Sequence, residues 1–303
     1  MRNVRDIAMG IVALVRLAGA EPVLAGPAED GYVAYRNGDY AKALQVWRPY
    51  AENGDVAAQA FLGDLYFLGQ GTPRDYKQAV FWYQKAAEKG NPAAEYNLGV
   101  AAEKGLGAAK SPQQALSWYR KAADAGNAHA ALALGRLYRL GLGTNQDFNA
   151  AAHWTQQAAA AGDAEAEDEL GALYRLGQGV EPDLMQARDW YRKAADQAYG
   201  PAENNLGMMY RLGAGGAVDY ERAFGWLHRA ADHGVAAAKY NLGSMYALGQ
   251  GAPKDLIQAY DWYVAAIADS DPAIRGQSEK SLALLKAEMS PDDIAEAQRL
   301  AAH

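Results

Sequence analysis

The sequence contains no cysteine, which excludes disulfides, zinc-thiolate sites, iron-sulfur clusters and thiol nucleophiles together, and leaves the redox compartment open. It has no basic excess either. The 29 Lys and Arg against 36 Asp and Glu give a formal charge of −7. A phosphate backbone calls for clustered cations, so nucleic acid is not an expected partner. No Ser/Pro-rich linker, charge block or low-complexity tract divides the 303 residues, so one continuous architecture is expected. Half of the residues are apolar, and Ala and Gly are abundant where a sheet would favour β-branched residues. Closely packed helices with almost no strand follow from that composition.

Sites for chemistry are as scarce. Neither Ser-x-x-Lys nor Gly-x-Ser-x-Gly occurs, although a nucleophilic serine needs a base and an oxyanion site in reach. The histidines, His129, His153, His228, His233 and His303, include no pair four apart on a helix, and no two share a repeat position. No metal site is expected from them, and His228 and His233 read as surface residues. Carboxylate pairs such as Asp168 and Glu169 read as solvated helix faces. No catalytic residue and no cofactor is expected.

What is present is a period of 36 residues. Leu-Gly recurs at Leu62, Leu98, Leu134, Leu170, Leu206 and Leu242 without insertion or deletion. The same step carries Trp82 to Trp118, Trp154, Trp190, Trp226 and Trp262, and Gly-x-Gly pairs beginning at Gly69, Gly105, Gly141, Gly177, Gly213 and Gly249. Within Val56 to Gly90, Ala58, Leu62, Gly63, Leu65 and Tyr66 fall at helical spacing and predict a first helix with one buried face. Gly69 and Gly71 stop it, since glycine closes a helix in the left-handed conformation without steric penalty. Asp75 can cap a second helix that buries Ala79, Trp82, Tyr83 and Ala86 and ends at Gly90. The Gly-x-Gly pairs follow a helix rather than a strand, so they read as helix ends and not as phosphate loops.

Such a pair leaves one side bare and is stable only when stacked on its neighbours. The predicted fold is all-α: an α-solenoid of tandem antiparallel helix pairs wound into a right-handed superhelix. Residues 29–55 read as an N-terminal capping half-repeat, in which Trp47 lies one residue past the tryptophan slot. Residues 56–271 hold six repeats, and 272–303 read as C-terminal capping helices, the last opened by Ser290-Pro291-Asp292-Asp293. The indoles are expected to fill the wedges between units, with Trp118→Ala or Trp190→Ala costing about 3–5 kcal/mol as core deletions.

The string Ala-Glu-Tyr-Asn-Leu-Gly at 94–99, the Leu-Gly-Gln-Gly turns at 68, 176 and 248, and Trp-Tyr-Arg-Lys-Ala-Ala at 118 and 190 resemble the Sel-one-like repeat family. That family is related to tetratricopeptide repeats. The resemblance implies a non-enzymatic scaffold or adaptor for protein-protein interaction, in bacteria often in the envelope. Cysteine-rich relatives described as β-lactamase-like are stapled by disulfides that this chain cannot form. Ala102 replaces the usual first-helix Tyr, Thr155 and Leu227 replace the aromatic after Trp, and Ala198 and Ser270 replace the closing Gly. Looser packing in repeat two and a blunted final turn in repeat four are the expected consequences.

With each repeat's Leu as zero and 100° per residue, positions −2, +2 and +5 of the first helix face away from the packing, and −1 lies at the flank. In tetratricopeptide-like stacks the first helices line the concave side. Position +5 supplies Arg139, Arg175 and Arg211, and position +2 adds Arg136. Positions −2 and −1 supply Tyr96, Asn97, Asn204, Asn205, Tyr240 and Asn241. Guanidinium groups grip carboxylates and Asn amides can clamp a peptide backbone, so these ten residues form the candidate groove for a protein or peptide, with an acidic segment favoured. The alternative is that they are ordinary solvated positions copied with the repeat.

At the N-terminus, Arg2 and Arg5, the apolar run Ile7–Val15 and Ala18-Gly19-Ala20 resemble a signal peptide over 1–25, with Asp6 and Arg16 counting against it. That run is too short for a stable membrane span of about 20 residues. A periplasmic or secreted location is the expectation and a cytoplasmic regulator the alternative. An envelope enzyme or cell-wall-binding protein acting on peptidoglycan or β-lactams is the competing function.

Overall fold

The computed structural model describes residues 28–268 and 271–301; the expected signal segment at 1–25, Ser270 and His303 lie outside them. Among the described residues there are sixteen α-helices and no strand. The chain forms two compact units, one ending at Ala158 and the other starting at Ala159. The first contains α1 (Ala28–Arg36), α2 (Tyr40–Glu52), α3 (Val56–Leu68), α4 (Tyr76–Ala87), α5 (Pro92–Lys104), α6 (Pro112–Asp124), α7 (Ala128–Leu140) and most of α8 (Phe148–Ala160). The second contains α9 (Ala164–Leu176), α10 (Leu184–Asp196), α11 (Gly200–Leu212), α12 (Tyr220–Asp232), α13 (Ala236–Leu248), α14 (Leu256–Ala268), α15 (Pro272–Glu288) and α16 (Pro291–Leu300). In each unit the two helices of a pair pack most extensively on one another, and each second helix packs on the next first helix. This is an all-α solenoid of helix pairs.

Local chemistry sets the boundaries. The Asp75 carboxylate accepts the backbone N–H groups of Lys77 (2.9 Å) and Gln78 (3.0 Å) at the start of α4, and Asp183 does the same for α10. First helices are capped by Asp55, Asn91, Asn127 and Asp163, satisfying amides that the helix leaves open. Tyr199 and Val235 occupy the same slot without a side-chain cap. The first glycine of each turn closes the helix before it, as Gly69 does at φ 69°. The second glycine has a further reason. A Cβ at Gly107 would lie 2.3 Å from the Tyr76 carbonyl oxygen, and one at Gly215 2.3 Å from that of Leu184. The turns at Gly71, Gly107, Gly143, Gly215 and Gly251 therefore rest directly on the backbone that opens the preceding second helix.

The Leu-Gly glycine accommodates a ring, and the ring is not the expected one. A Cβ at Gly63 or Gly99 would stand 2.5 Å from the ring of Tyr83 or Tyr119. Tyr83, Tyr119, Tyr191 and Tyr263 are buried, and Thr155 and Leu227 take that place in the other two repeats. Of the repeat tryptophans only Trp154 is buried; Trp82, Trp118, Trp190, Trp226 and Trp262 are half-buried. Cations three residues on lie over three of them, Lys121 on Trp118 (4.4 Å), Lys193 on Trp190 (3.5 Å) and Arg229 on Trp226 (4.4 Å). The expectation that the indoles fill the core is corrected. The residue after each Trp points at the partner helix's glycine, and the Trp, 100° round the helix, lies at the edge of the contact.

The same shift explains Trp47. It stands 36 residues before Tyr83, hence in the tyrosine slot, and it is fully buried, stacked on Phe61 at 4.6 Å. The N-terminal segment is also a complete helix pair, α1 with α2, rather than half of one. At the other end α15 and α16 close the last repeat: Leu285, Met289 and Ala297 join a core with Ala259, Tyr260 and Tyr263.

Two expected weaknesses are resolved. The closing turn of repeat four is present, because Ala198 adopts φ 60° where repeats one, two, three and five place a left-handed glycine. In repeat two Ala102 is buried, and Gln84 holds the sequence position one period after Arg48. What is lost there is a hydrogen bond of the kind that Arg48 and Arg192 donate to the hydroxyls of Tyr66 and Tyr210, both at 2.8 Å.

Candidate functional site

With one side of each first helix covered by the Tyr, Thr or Leu of its partner, its polar residues meet those of neighbouring first helices. In the first unit, Asp64 of α3 accepts two hydrogen bonds on one oxygen, from the Tyr83 hydroxyl (2.7 Å) and the Asn97 amide (3.1 Å). Burial pushes the Asp64 carboxyl up to about 7, partly offset by the Tyr83 hydrogen bond. The Tyr83 hydroxyl is raised well above its usual range by burial and by the Asp64 charge. Asn97 is 3% exposed, so its amide links α5 to α3 and does not stand open to a peptide. Tyr96 is half-buried, its ring 5.7 Å from Tyr119 and 6.2 Å from His129. Glu103, at position +5 of α5, accepts from the Tyr119 hydroxyl at 2.8 Å. Arg136 and Arg139 are half-buried on α7, and the Arg136 charge partly offsets the upward shift that burial gives the Tyr119 hydroxyl.

In the second unit the row is continuous. Asn205 donates to Asp168 at 2.8 Å, joining α11 to α9, and Asn241 donates to Asn204 at 3.0 Å, joining α13 to α11. The Tyr240 hydroxyl lies 3.4 Å from Ser281 of α15. Arg175 is exposed and its Nε donates to the Tyr191 hydroxyl at 3.4 Å; Arg211 is half-buried and its Nε donates to Gln250 at 3.0 Å. In both, the bond holds Nε and leaves the terminal guanidinium nitrogens without an acceptor among the described residues. That geometry suits a bidentate grip on a carboxylate. The asparagine amides mostly serve to join neighbouring helices, and the arginines are better placed for a ligand.

Two features escaped sequence reasoning. The first is the exposed leucine that ends successive first helices, including Leu140, Leu176, Leu212 and Leu248; the 36-residue period marks this column as clearly as any other. The second is the fully buried Glu203, which pairs with Arg229 (2.9 Å) and with Nδ1 of His233 (2.6 Å). His233 is 43% exposed, a surface residue as expected, and its ring also closes over a buried acid on the neighbouring helix. The surface reading is corrected for His228. It packs among Phe224, Tyr246 and Trp262, and burial lowers its pKa, with Asp232 opposing.

Among the described residues no group of three His, Cys, Asp or Glu could hold a metal ion, and no helix is long and apolar enough to cross a membrane.

The Sel1 repeat family model matches residues 56–91, 92–127, 128–163, 164–199, 200–235 and 236–271. The crystal structure of a Sel1 repeat protein from Oxalobacter formigenes is 32% identical, with a TM-score of 0.74 over 82% of this chain and 98% of that one. A protective antigen of uropathogenic Escherichia coli strains that displays an SLR fold is 22% identical, with a TM-score of 0.51 over 91% of this chain and 82% of that one, a likeness of fold alone. No curated protein matches the chain.

Proposed function

We propose, from the premise that this chain belongs to the Sel1 repeat family over six consecutive repeats, that it is a non-enzymatic scaffold holding an acidic segment of a partner protein. The Sel1 repeat fold is generally a protein-protein interaction scaffold, and its family is typically non-catalytic. The partner segment lies along the polar face of the first helices, the side expected to be concave in stacks of this type. In the second unit Arg175 and Arg211 supply the grip and Asn204, Asn205 and Tyr240 the polar surroundings; in the first, Arg136, Arg139 and Tyr96 offer the same chemistry. Asn97 and Asn241 act behind them by fixing neighbouring helices.

The observation that carries this reading is the pinning of Arg175 and Arg211 through Nε, with the rest of each guanidinium unspent. Arg136 and Arg139 in the first unit, and Arg175 and Arg211 in the second, contrast with a chain whose formal charge is −7. Such a contrast steers acidic partners and repels other acidic surfaces. The test is capture of partners from a lysate of the source cells by the wild-type protein and by the triple variant Arg139→Ala, Arg175→Ala, Arg211→Ala. Loss of acidic partners with an unchanged helical spectrum supports the reading, and undiminished capture removes the arginines from it. The scaffold acts in the bacterial cell envelope, a reading that rests on the signal-like pattern at 1–25. N-terminal sequencing of the protein isolated from cells would find Ala20 removed with the leader; an intact Met1 would place the scaffold in the cytoplasm.

A further inference from the structure

The acidic-partner reading leaves a second surface of the same unit unexplained. Leu176, Leu212 and Leu248 are the last residues of α9, α11 and α13, each directly before a left-handed glycine. They are 53%, 68% and 63% exposed. Isolated surface leucines call for no explanation, but these recur as a row at the same end of adjacent helices. The adjacency of these helices is fixed by the Asn205–Asp168 and Asn241–Asn204 hydrogen bonds. Each of Leu176 and Leu212 follows an arginine in the chain. The bond from Arg211 Nε to Gln250, two residues past Leu248, sets that guanidinium between the end of α11 and the end of α13. Along this edge apolar and cationic groups therefore alternate.

Resting on the proposed function, we infer that the captured segment is extended and carries apolar side chains interleaved with carboxylates, one of each in every three residues. The apolar groups cover Leu176, Leu212 and Leu248, and the carboxylates meet Arg175 and Arg211. The period comes from matching steps. Neighbouring packed helices stand about 10 Å apart, and a polyproline-II chain returns to the same face every three residues, about 9 Å. Leu176, Leu212 and Leu248 each stand where the chain reverses after a first helix. Charge complementarity selects acidic over basic interleaving, because the residues directly before Leu176 and Leu212 are the cationic Arg175 and Arg211.

The probe is a fluorescein-labelled peptide of three Leu-Asp-Pro units, followed by anisotropy against the full chain. Two controls replace its Asp by Asn or its Leu by Ser. The expected result is saturable binding of the probe, at least tenfold weaker for either control. Binding should also fall at least tenfold in the Leu176→Ser, Leu212→Ser, Leu248→Ser variant, whose exposed positions leave the helical spectrum and urea unfolding unchanged. If that variant binds like wild type while Arg175→Gln with Arg211→Gln loses binding, the leucine row is overturned and the acidic-partner reading stands. If neither variant weakens binding, or the wild-type chain does not bind the probe, the inference is overturned. If sedimentation shows a wild-type dimer that the leucine variant dissociates, the row belongs to a second copy of this chain, and the inference is overturned in that way.

Discussion

Replacing Ala198 with glycine should stabilise the protein, although it removes a side-chain carbon and adds backbone freedom. Ala198 has φ 60°, whereas Gly54, Gly90, Gly126, Gly162 and Gly234 occupy the same slot at φ between 75° and 92°. An L-residue in the left-handed region costs about 1–2 kcal/mol. A Cβ at Gly90, Gly126, Gly162 or Gly234 would meet nothing within 4 Å, so the strain at this slot is conformational and not a clash. The turn's hydrogen bonds are retained, with Ala198 donating to Ala195 at 3.0 Å and Tyr199 to Ala194 at 3.2 Å, as Gly90 and Asn91 do at 2.9 and 3.2 Å. Against the relief stands the larger entropy glycine loses on folding, about 0.5–1 kcal/mol. The net expectation is a gain of about 0.5–1 kcal/mol. Urea unfolding monitored by circular dichroism should show a higher midpoint at unchanged slope. Exchange of the Tyr199 amide should slow by the same factor, which separates a local effect from a global one in a repeat stack. The reciprocal change, Gly126→Ala, should cost about 1 kcal/mol. A destabilised Ala198→Gly, or a Gly126→Ala without cost, would refute the claim that this slot is held in the left-handed conformation.

Tyr119→Ala should cost about 3–5 kcal/mol as a core deletion, and Trp118→Ala only about 1–2 kcal/mol because much of the indole faces solvent; denaturant midpoints of the two variants give the order directly. Asp64 supplies a pH dependence whose sign follows from its folded pKa of about 7 against an ordinary 3.8. A carboxyl raised by folding contributes stability below its unfolded pKa, and that contribution is lost as pH rises through 7. Asp64→Asn should therefore gain in melting temperature relative to wild type between pH 4 and pH 8, with Asp64 titrating near 7 by carbonyl NMR; a difference that does not vary with pH contradicts the assignment.

The period, the caps and the turns were legible because each depends on chemistry local to one residue. Asp75 caps because a short carboxylate reaches two amides, and Gly69 stops a helix because it tolerates positive φ, whatever surrounds them. The facing of the second helix was not legible in that way. Tyr and Trp are both large and lie one residue apart, and the choice between them is made by Gly63 or Gly99 on another helix. Trp47 carried the clue: a tryptophan outside the tryptophan column is in the tyrosine column, so that slot takes the core ring. The candidate groove was legible as a set of positions but not in its division of labour. A helical wheel puts Asn97 at a flank, and only the neighbouring first helix shows that its amide is already held by Asp64. His233 was legible as a surface residue but not as a partner of Glu203, which lies 30 residues earlier on another helix.

The most direct measurement of whether the repeats are equivalent, self-similar modules is the removal of one of them. Excision of residues 92–127 joins Asn91 to Ala128, so that an Asn cap again precedes a first helix and the Leu-Gly, Tyr and Gly-x-Gly columns stay in step. The shortened chain should keep the helical signal per residue of the parent and unfold cooperatively in urea, at a lower midpoint. A chain that loses its helical signal on removal of a whole repeat would contradict the account.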